Sequence, residues 1–146
     1  MHTSRLLTTA LISLVATATA TPTPATAAPA PPPLLQGRIV TQQNPARCLT
    51  GGPLGTVLHT APCVSGNPAQ NFYQTSAGHF TNDGRCVQPD GTKARVATCT
   101  FRDDQDWWFG TTLRAGEHGR CLTEVGKGTV RLRDCSDKPN RKWRAL

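Results

Sequence analysis

The chain has 146 residues, a net charge of +7, six cysteines and only 5% aromatic residues. That length suits one folded domain, and so modest an apolar content makes a thin core whose burial alone would leave it marginal. No Cys-x-x-Cys or Cys/His cluster stands at metal-ligand spacing, which excludes a zinc framework.

In chain order, residues 1–27 read as a secretory signal peptide. Arg5 supplies a positive start, Leu6 to Ala18 is an uncharged apolar run, and small-x-small cleavage sites stand at Ala18-Thr19-Ala20 and Ala25-Thr26-Ala27. The run is too short and wrongly flanked for a membrane span, and no later segment is long and apolar enough to be one. Cleavage at the second site is expected. Residues 28–36, Ala/Pro-rich and uncharged, are then an extended, solvated leader. The expected localisation is secreted and extracellular, and the folded domain is expected over 37–146.

That domain repeats itself. Arg47-Cys48-Leu49-Thr50 returns as Arg85-Cys86-Val87-Gln88 and as Arg120-Cys121-Leu122-Thr123. Each is followed by a Gly-Thr turn (Gly55-Thr56, Gly91-Thr92, Gly128-Thr129), a second cysteine (Cys63, Cys99, Cys135) and an aromatic residue (Phe72, Trp107, Trp143). An internal repeat dictates architecture more strongly than a local motif. It divides the domain into three equivalent lobes, about 37–75, 76–110 and 111–146. Six cysteines behind an export signal point to disulfides. The repeat selects the symmetric pairing Cys48–Cys63, Cys86–Cys99 and Cys121–Cys135, and loops of that size contribute about 3 kcal/mol each by chain entropy.

Helix signals are weak. Asn67-Pro68, Asn82-Asp83-Gly84 and Pro89-Asp90-Gly91 are turn sequences, and short period-two runs lie between them. In Thr129-Val130-Arg131-Leu132-Arg133 the apolar Val130 and Leu132 share one face and Arg131 and Arg133 the other. The fold class is therefore all-β, and a threefold repeat favours a closed arrangement because closure removes exposed strand edges.

The succession Arg-Cys-Leu/Val, Gly-Thr, Cys, Gln-x-aromatic resembles the ricin-B-type lectin family over the whole of 37–146. The Gln-x-Trp signature stands as Gln70-Asn71-Phe72, Gln105-Asp106-Trp107 and Arg141-Lys142-Trp143, intact only in the second lobe. The resemblance implies a β-trefoil of about twelve short strands, with Phe72, Trp107 and Trp143 plugging the lobe cores. Trp108 follows Trp107 and would face the opposite way in a strand, as a second core contact or as an exposed platform.

Sugar sites in the resembled family place an acid two positions after a lobe's first cysteine. They also use an aromatic two positions before the second cysteine and an Asn-Gln pair at the Gln-x-Trp element. A sugar is polar at its rim and apolar on one face, so it asks for directional acceptors and a flat ring. Here the acid position holds Thr50, Gln88 and Thr123, and the stacking position holds Ala61, Ala97 and Arg133. The Asn-Gln position holds Ala69-Gln70, Asp104-Gln105 and Asn140-Arg141. The second lobe keeps most, so Gln88, Asp104 and Gln105 are the candidate carbohydrate-binding residues, with weak or altered specificity expected.

Basic residues crowd the third lobe. Arg131, Arg133, Arg141 and Lys142 are candidates for an anionic cell-surface polymer, whether as a gripping patch or as an ordinary solvated face. A third expectation is a separate secreted protein as partner, because trefoils with eroded sugar sites resemble the accessory subunits of cytolethal distending toxins. Nucleic acid is not expected, since no recognition motif supports it. No nucleophile elbow, zinc motif or paired acid–base constellation is present, so neither catalysis nor a cofactor is expected.

Overall fold

The computed structural model describes residues 35–43, 45–126 and 128–146. The signal peptide expected over 1–27 lies outside them, as does 28–34 of the Ala/Pro-rich stretch. The first lobe contains β1 (Leu35–Gly37), β2 (Ile39–Thr41), β3 (Cys48–Thr50), β4 (His59–Ala61) and β5 (Phe72–Gln74). The second contains β6 (Phe80–Asn82), β7 (Arg85–Asp90), β8 (Lys93–Ala97) and β9 (Trp107–Phe109). The third contains β10 (Leu113–Ala115), β11 (Cys121–Gly126), β12 (Thr129–Arg133) and β13 (Trp143–Ala145). A single 3-10 turn precedes the aromatic strand of each lobe, at Pro68–Gln70, Asp103–Gln105 and Pro139–Arg141.

Among the described residues thirteen strands stand where about twelve were expected, because the first strand of the first lobe is broken at Arg38. Its front half, β1, pairs with β5, and its back half, β2, pairs with β13. Gly37 makes the break possible. Its φ is +137°, and a Cβ there would meet the Leu146 carbonyl oxygen at 2.3 Å, so only glycine lets the two backbones approach. Leu35 and Gln36 already belong to β1, so the ordered fold begins inside the stretch expected as leader, and Leu35 is buried in the core.

Antiparallel pairs β1·β5, β5·β6, β9·β10 and β13·β2 run round a barrel. The lobe junctions are completed by Trp107 N donating to Gly78 O (2.9 Å) and Trp143 N donating to Thr111 O (3.0 Å). The hairpins β3–β4, β7–β8 and β11–β12 cap it. They are tied in a ring: Thr60 N donates to Gly128 O (3.0 Å), Val96 N to Thr56 O (2.8 Å) and Leu132 N to Thr92 O (2.7 Å). Each lobe holds another by the same bond, so the cap has no loose edge strand. This is a β-trefoil.

The repeat places equivalent side chains together. Ile39, Phe80 and Leu113 form one buried triplet, Leu49, Val87 and Leu122 a second, and Leu58, Ala94 and Val130 a third. Phe72, Trp107 and Trp143 complete the core, each no more than 1% exposed. Disulfides join Cys48–Cys63, Cys86–Cys99 and Cys121–Cys135, one in every lobe. On β12 the alternation holds, with Val130 and Leu132 inside and Arg131 and Arg133 on the outer face.

Candidate functional site

Gln88 stands on β7 opposite Arg95 on β8. The hairpin between them turns at Gly91, whose φ of +57° is a left-handed conformation that glycine adopts without a Cβ penalty. Asp104 reaches the same place from the Asp103–Gln105 turn, and Gln88 Nε2 donates to Asp104 Oδ2 at 2.8 Å. Asp104 Oδ1 is enclosed and has no hydrogen-bond partner among the described residues. Both residues are half-buried.

Gln105 plays a different part. It is completely buried. Its Oε1 accepts from Thr100 N (2.8 Å) and Phe101 N (3.3 Å), and its Nε2 donates to Thr98 O (2.8 Å) and Gln88 Oε1 (3.4 Å). Both ends of the amide are thus occupied in pinning the backbone on either side of Cys99 and in orienting Gln88. Gln70 does the same in the first lobe, accepting from Val64 N (2.8 Å) and donating to Pro62 O (2.9 Å). In the third lobe Arg141 takes over this clamp, donating to Asp134 O and, at 2.6 Å, to Ser136 Oγ. A guanidinium can replace the donating half of a glutamine but not the accepting half. The Gln105→Ala variant is expected to lose about 2 kcal/mol of stability in urea unfolding, because two part-buried N–H groups and a carbonyl lose their partner and the completely buried side chain leaves a cavity.

A cleft of about 280 Å³ opens over Gln88, Asp90, Arg95, Ala97 and Thr98, and Leu54 of the first lobe forms part of its wall. Arg95 is paired with Asp90 across its floor. Leu54 is 60% exposed, so the cleft has an apolar face although Ala97 supplies no ring. Sequence reasoning missed Leu54, because it comes from a neighbouring lobe; the available signal was an apolar residue in the Pro53-Leu54-Gly55 turn. The equivalent positions elsewhere are closed. Thr50 and Thr123 are buried, and each hydroxyl donates to the carbonyl of its own lobe's first cysteine at 3.1 Å.

The four basic candidates do not converge. Arg131 is half-buried and donates to Val130 O (2.9 Å), while Arg133 is exposed. Arg141 is engaged as the clamp, and Lys142 Nζ lies 2.8 Å from Asp137 Oδ1. The Lys142 hydrogen bond, and then its charge, hold the exposed Asp137 carboxyl below its ordinary pKa. Trp108, next to the buried Trp107, is exposed, so it is not a second core contact. Among the described residues no group of three or more His, Cys, Asp or Glu side chains could hold a metal ion, and no helix is long and apolar enough to cross a membrane.

The model of the ricin-type β-trefoil lectin domain matches residues 35–143. No curated protein matches the chain. Among solved structures it is similar to GalNAc-T7 crystallised with UDP, GalNAc and Mn2+, at 20% identity and a TM-score of 0.69, over 80% of this chain and 23% of that one. It is similar to the hemolytic lectin CEL-III at 20% identity and a TM-score of 0.69, over 79% of this chain and 31% of that one. The chain thus spans a third or less of these two proteins. It is also similar to the β-trefoil lectin of the Vibrio vulnificus hemolysin/cytolysin with N-acetyl-D-lactosamine bound, at 18% identity and a TM-score of 0.65. That match covers 76% of this chain and 93% of the other. At such identities the likeness is one of fold.

Proposed function

Because the chain belongs to the ricin-type β-trefoil lectin domain family, we propose that it is a secreted, non-catalytic carbohydrate-binding module that works through its second lobe. The observation that carries this reading is the hydrogen bond from Gln88, which lines the cleft, to the Asp104 carboxylate. In the other lobes the position of Gln88 holds a buried threonine with its hydroxyl committed to the backbone, and that of Asp104 holds Ala69 or Asn140. A carboxylate and an amide side by side offer several acceptors and two donors, which suits adjacent sugar hydroxyls. A hydroxyl that displaces the Gln88 amide gains Asp104 as a charge-assisted acceptor. Gln105 supports the pair from below. Leu54, and not an aromatic ring at Ala97, offers the apolar contact. That is a weaker platform than an indole, which agrees with weak or altered specificity. Export by cleavage of residues 1–27 belongs to the same proposal.

The expected result is binding of a neutral glycan on an array, confirmed by calorimetry, and weakened about tenfold or more by Asp104→Ala, which removes charge-assisted hydrogen bonds, and weakened less by Gln88→Ala, which removes a neutral amide. Absence of binding to any neutral glycan at millimolar concentration overturns the reading.

A second reading follows from Arg131 and Arg133, which alternate on the outer face of β12. They would retain an anionic polymer such as heparin. Retention should fall steeply with salt and should be lost in Arg131→Ala/Arg133→Ala. Salt-independent retention removes it.

A further inference from the structure

The junction of the second and third lobes carries an open groove of about 590 Å³ lined by Phe101, Arg102, Asp103, Asp104 and Glu117. It lies beyond the Gln88 cleft and shares only Asp104 with that site. Its composition stands out on this surface. The chain as a whole is cationic, yet three carboxylates face one guanidinium here. Among the described residues Asp104 Oδ1 is one of the few enclosed polar atoms without a partner. Beside the carboxylates are two large aromatic residues in water: Phe101 and Trp108 are each 69% exposed.

A chain of contacts through the buried His79 links the two aromatics. The Phe101 ring lies 5.3 Å from the His79 ring, and His79 Nδ1 lies 2.7 Å from Asp106 Oδ1. Asp106 O accepts from Gly116 N at 2.8 Å. The Trp108 indole nitrogen lies close against Gly116, where an added Cβ would stand 3.4 Å from it. Glu117 is the next residue. A hydrophobic ring gains nothing by standing in water; Phe101 lines the acidic groove itself, and Trp108 stands exposed beside Gly116, the neighbour of the lining residue Glu117.

The geometry points to a second saccharide site here, specific for amine-bearing sugars of the glucosamine type. The carboxylates pair with ammonium groups. The exposed ring faces take the apolar face of a pyranose and attract a nearby cation by their quadrupole. The groove is open and shallow, which suits a flat chain of sugar rings better than one deeply inserted side chain. The site shares Asp104 with the Gln88–Asp104 pair and extends the proposed carbohydrate binding to a charged class.

The experiment titrates the intact protein with the β-1,4-linked glucosamine tetrasaccharide at low salt. It follows the three indole N–H signals by NMR and the affinity by calorimetry. The expected result is a shift of the exposed Trp108 signal, with Trp107 and Trp143 unmoved. Affinity should weaken about tenfold in Phe101→Ala and again in Glu117→Gln. Both substituted side chains lie at the surface, and unchanged unfolding midpoints show the variants folded. The N-acetylated tetrasaccharide and tetralysine serve as controls. Equal binding of the acetylated sugar overturns the charge requirement, and equal binding of tetralysine overturns the sugar requirement. Binding that survives both Phe101→Ala and Glu117→Gln overturns the groove itself. Neutral-glycan binding is measured separately on Phe101→Ala and Glu117→Gln, which lie outside the Gln88 cleft, so failure of one site is distinguishable from failure of the other.

Discussion

Replacing Trp107 by alanine is expected to destabilise the protein by about 4 kcal/mol and to lower its thermal midpoint by about 15 °C or more. Trp107 is 1% exposed, packs against Phe80 with ring centroids 6.0 Å apart, and donates from Nε1 to Val87 O at 2.8 Å. Alanine removes the aromatic area, leaves a cavity at the barrel centre and orphans a buried carbonyl. Trp107→Phe separates these contributions. It keeps most of the volume and loses chiefly the hydrogen bond, so it should cost only about 1–2 kcal/mol. The first lobe shows that this substitution is tolerated, because Phe72 occupies the equivalent place and stacks on Phe80 at 4.9 Å. Trp143, with Nε1 donating to Leu122 O at 2.9 Å, should behave like Trp107. Urea unfolding with the disulfides intact measures all three. An alanine variant no less stable than the phenylalanine one would show that the tryptophan volume is not what fills the core.

What the sequence revealed is what repeats. The disulfides, the buried aromatics and the threefold order were legible because each appears three times in register, and chance does not keep such register. The ring of bonds Thr60–Gly128, Val96–Thr56 and Leu132–Thr92 lies on those same repeated positions. Single features had no such signal. Gln105 carries the same letter in a buried clamp as it would in a sugar contact, and only its complete burial and its backbone partners separate the two. Arg141 looked like one more surface cation, but it fills the glutamine's place and meets the same segment of the disulfide loop. The break at Arg38 depends on Leu146 approaching Gly37 from the far end of the chain, a contact without local signature. Leu54 walls the cleft of a lobe to which it does not belong. Asymmetry between lobes is where function and special stabilisation gather, and a repeat-based reading sees least there.

The strongest asymmetry in the interior is ionic. Three positions after the first cysteine the lobes hold Gly51, Pro89 and Glu124. Glu124 is only 6% exposed on β11. Its Oε1 accepts from Thr60 Oγ1 at 2.6 Å and lies 3.7 Å from Arg47 Nε, while Oε2 accepts from Gln43 Nε2 at 3.3 Å. Thr60 is the polar member of a set whose other members are Val96 and Leu132. Its hydroxyl accepts from Arg47 Nε at 3.2 Å as it donates to Glu124, so one hydroxyl bridges the two charges. Arg47 also donates to Thr60 O at 2.8 Å. First and third lobes are thereby joined at the seam where the barrel closes.

Removing one partner of such a pair strands the other charge. Arg47 is 27% exposed and can turn partly to water, so the loss in Glu124→Leu should fall at the low end of the range for broken buried pairs, about 3 kcal/mol. The double variant Arg47→Leu/Glu124→Leu, which leaves neither charge unpaired, should be more stable than the sum of its single variants predicts, by about 1 kcal/mol or more. The double-mutant cycle in urea measures this coupling. A cycle that closes additively would mean that Glu124 is held by Thr60 and Gln43 alone, and that the guanidinium contributes nothing to the seam.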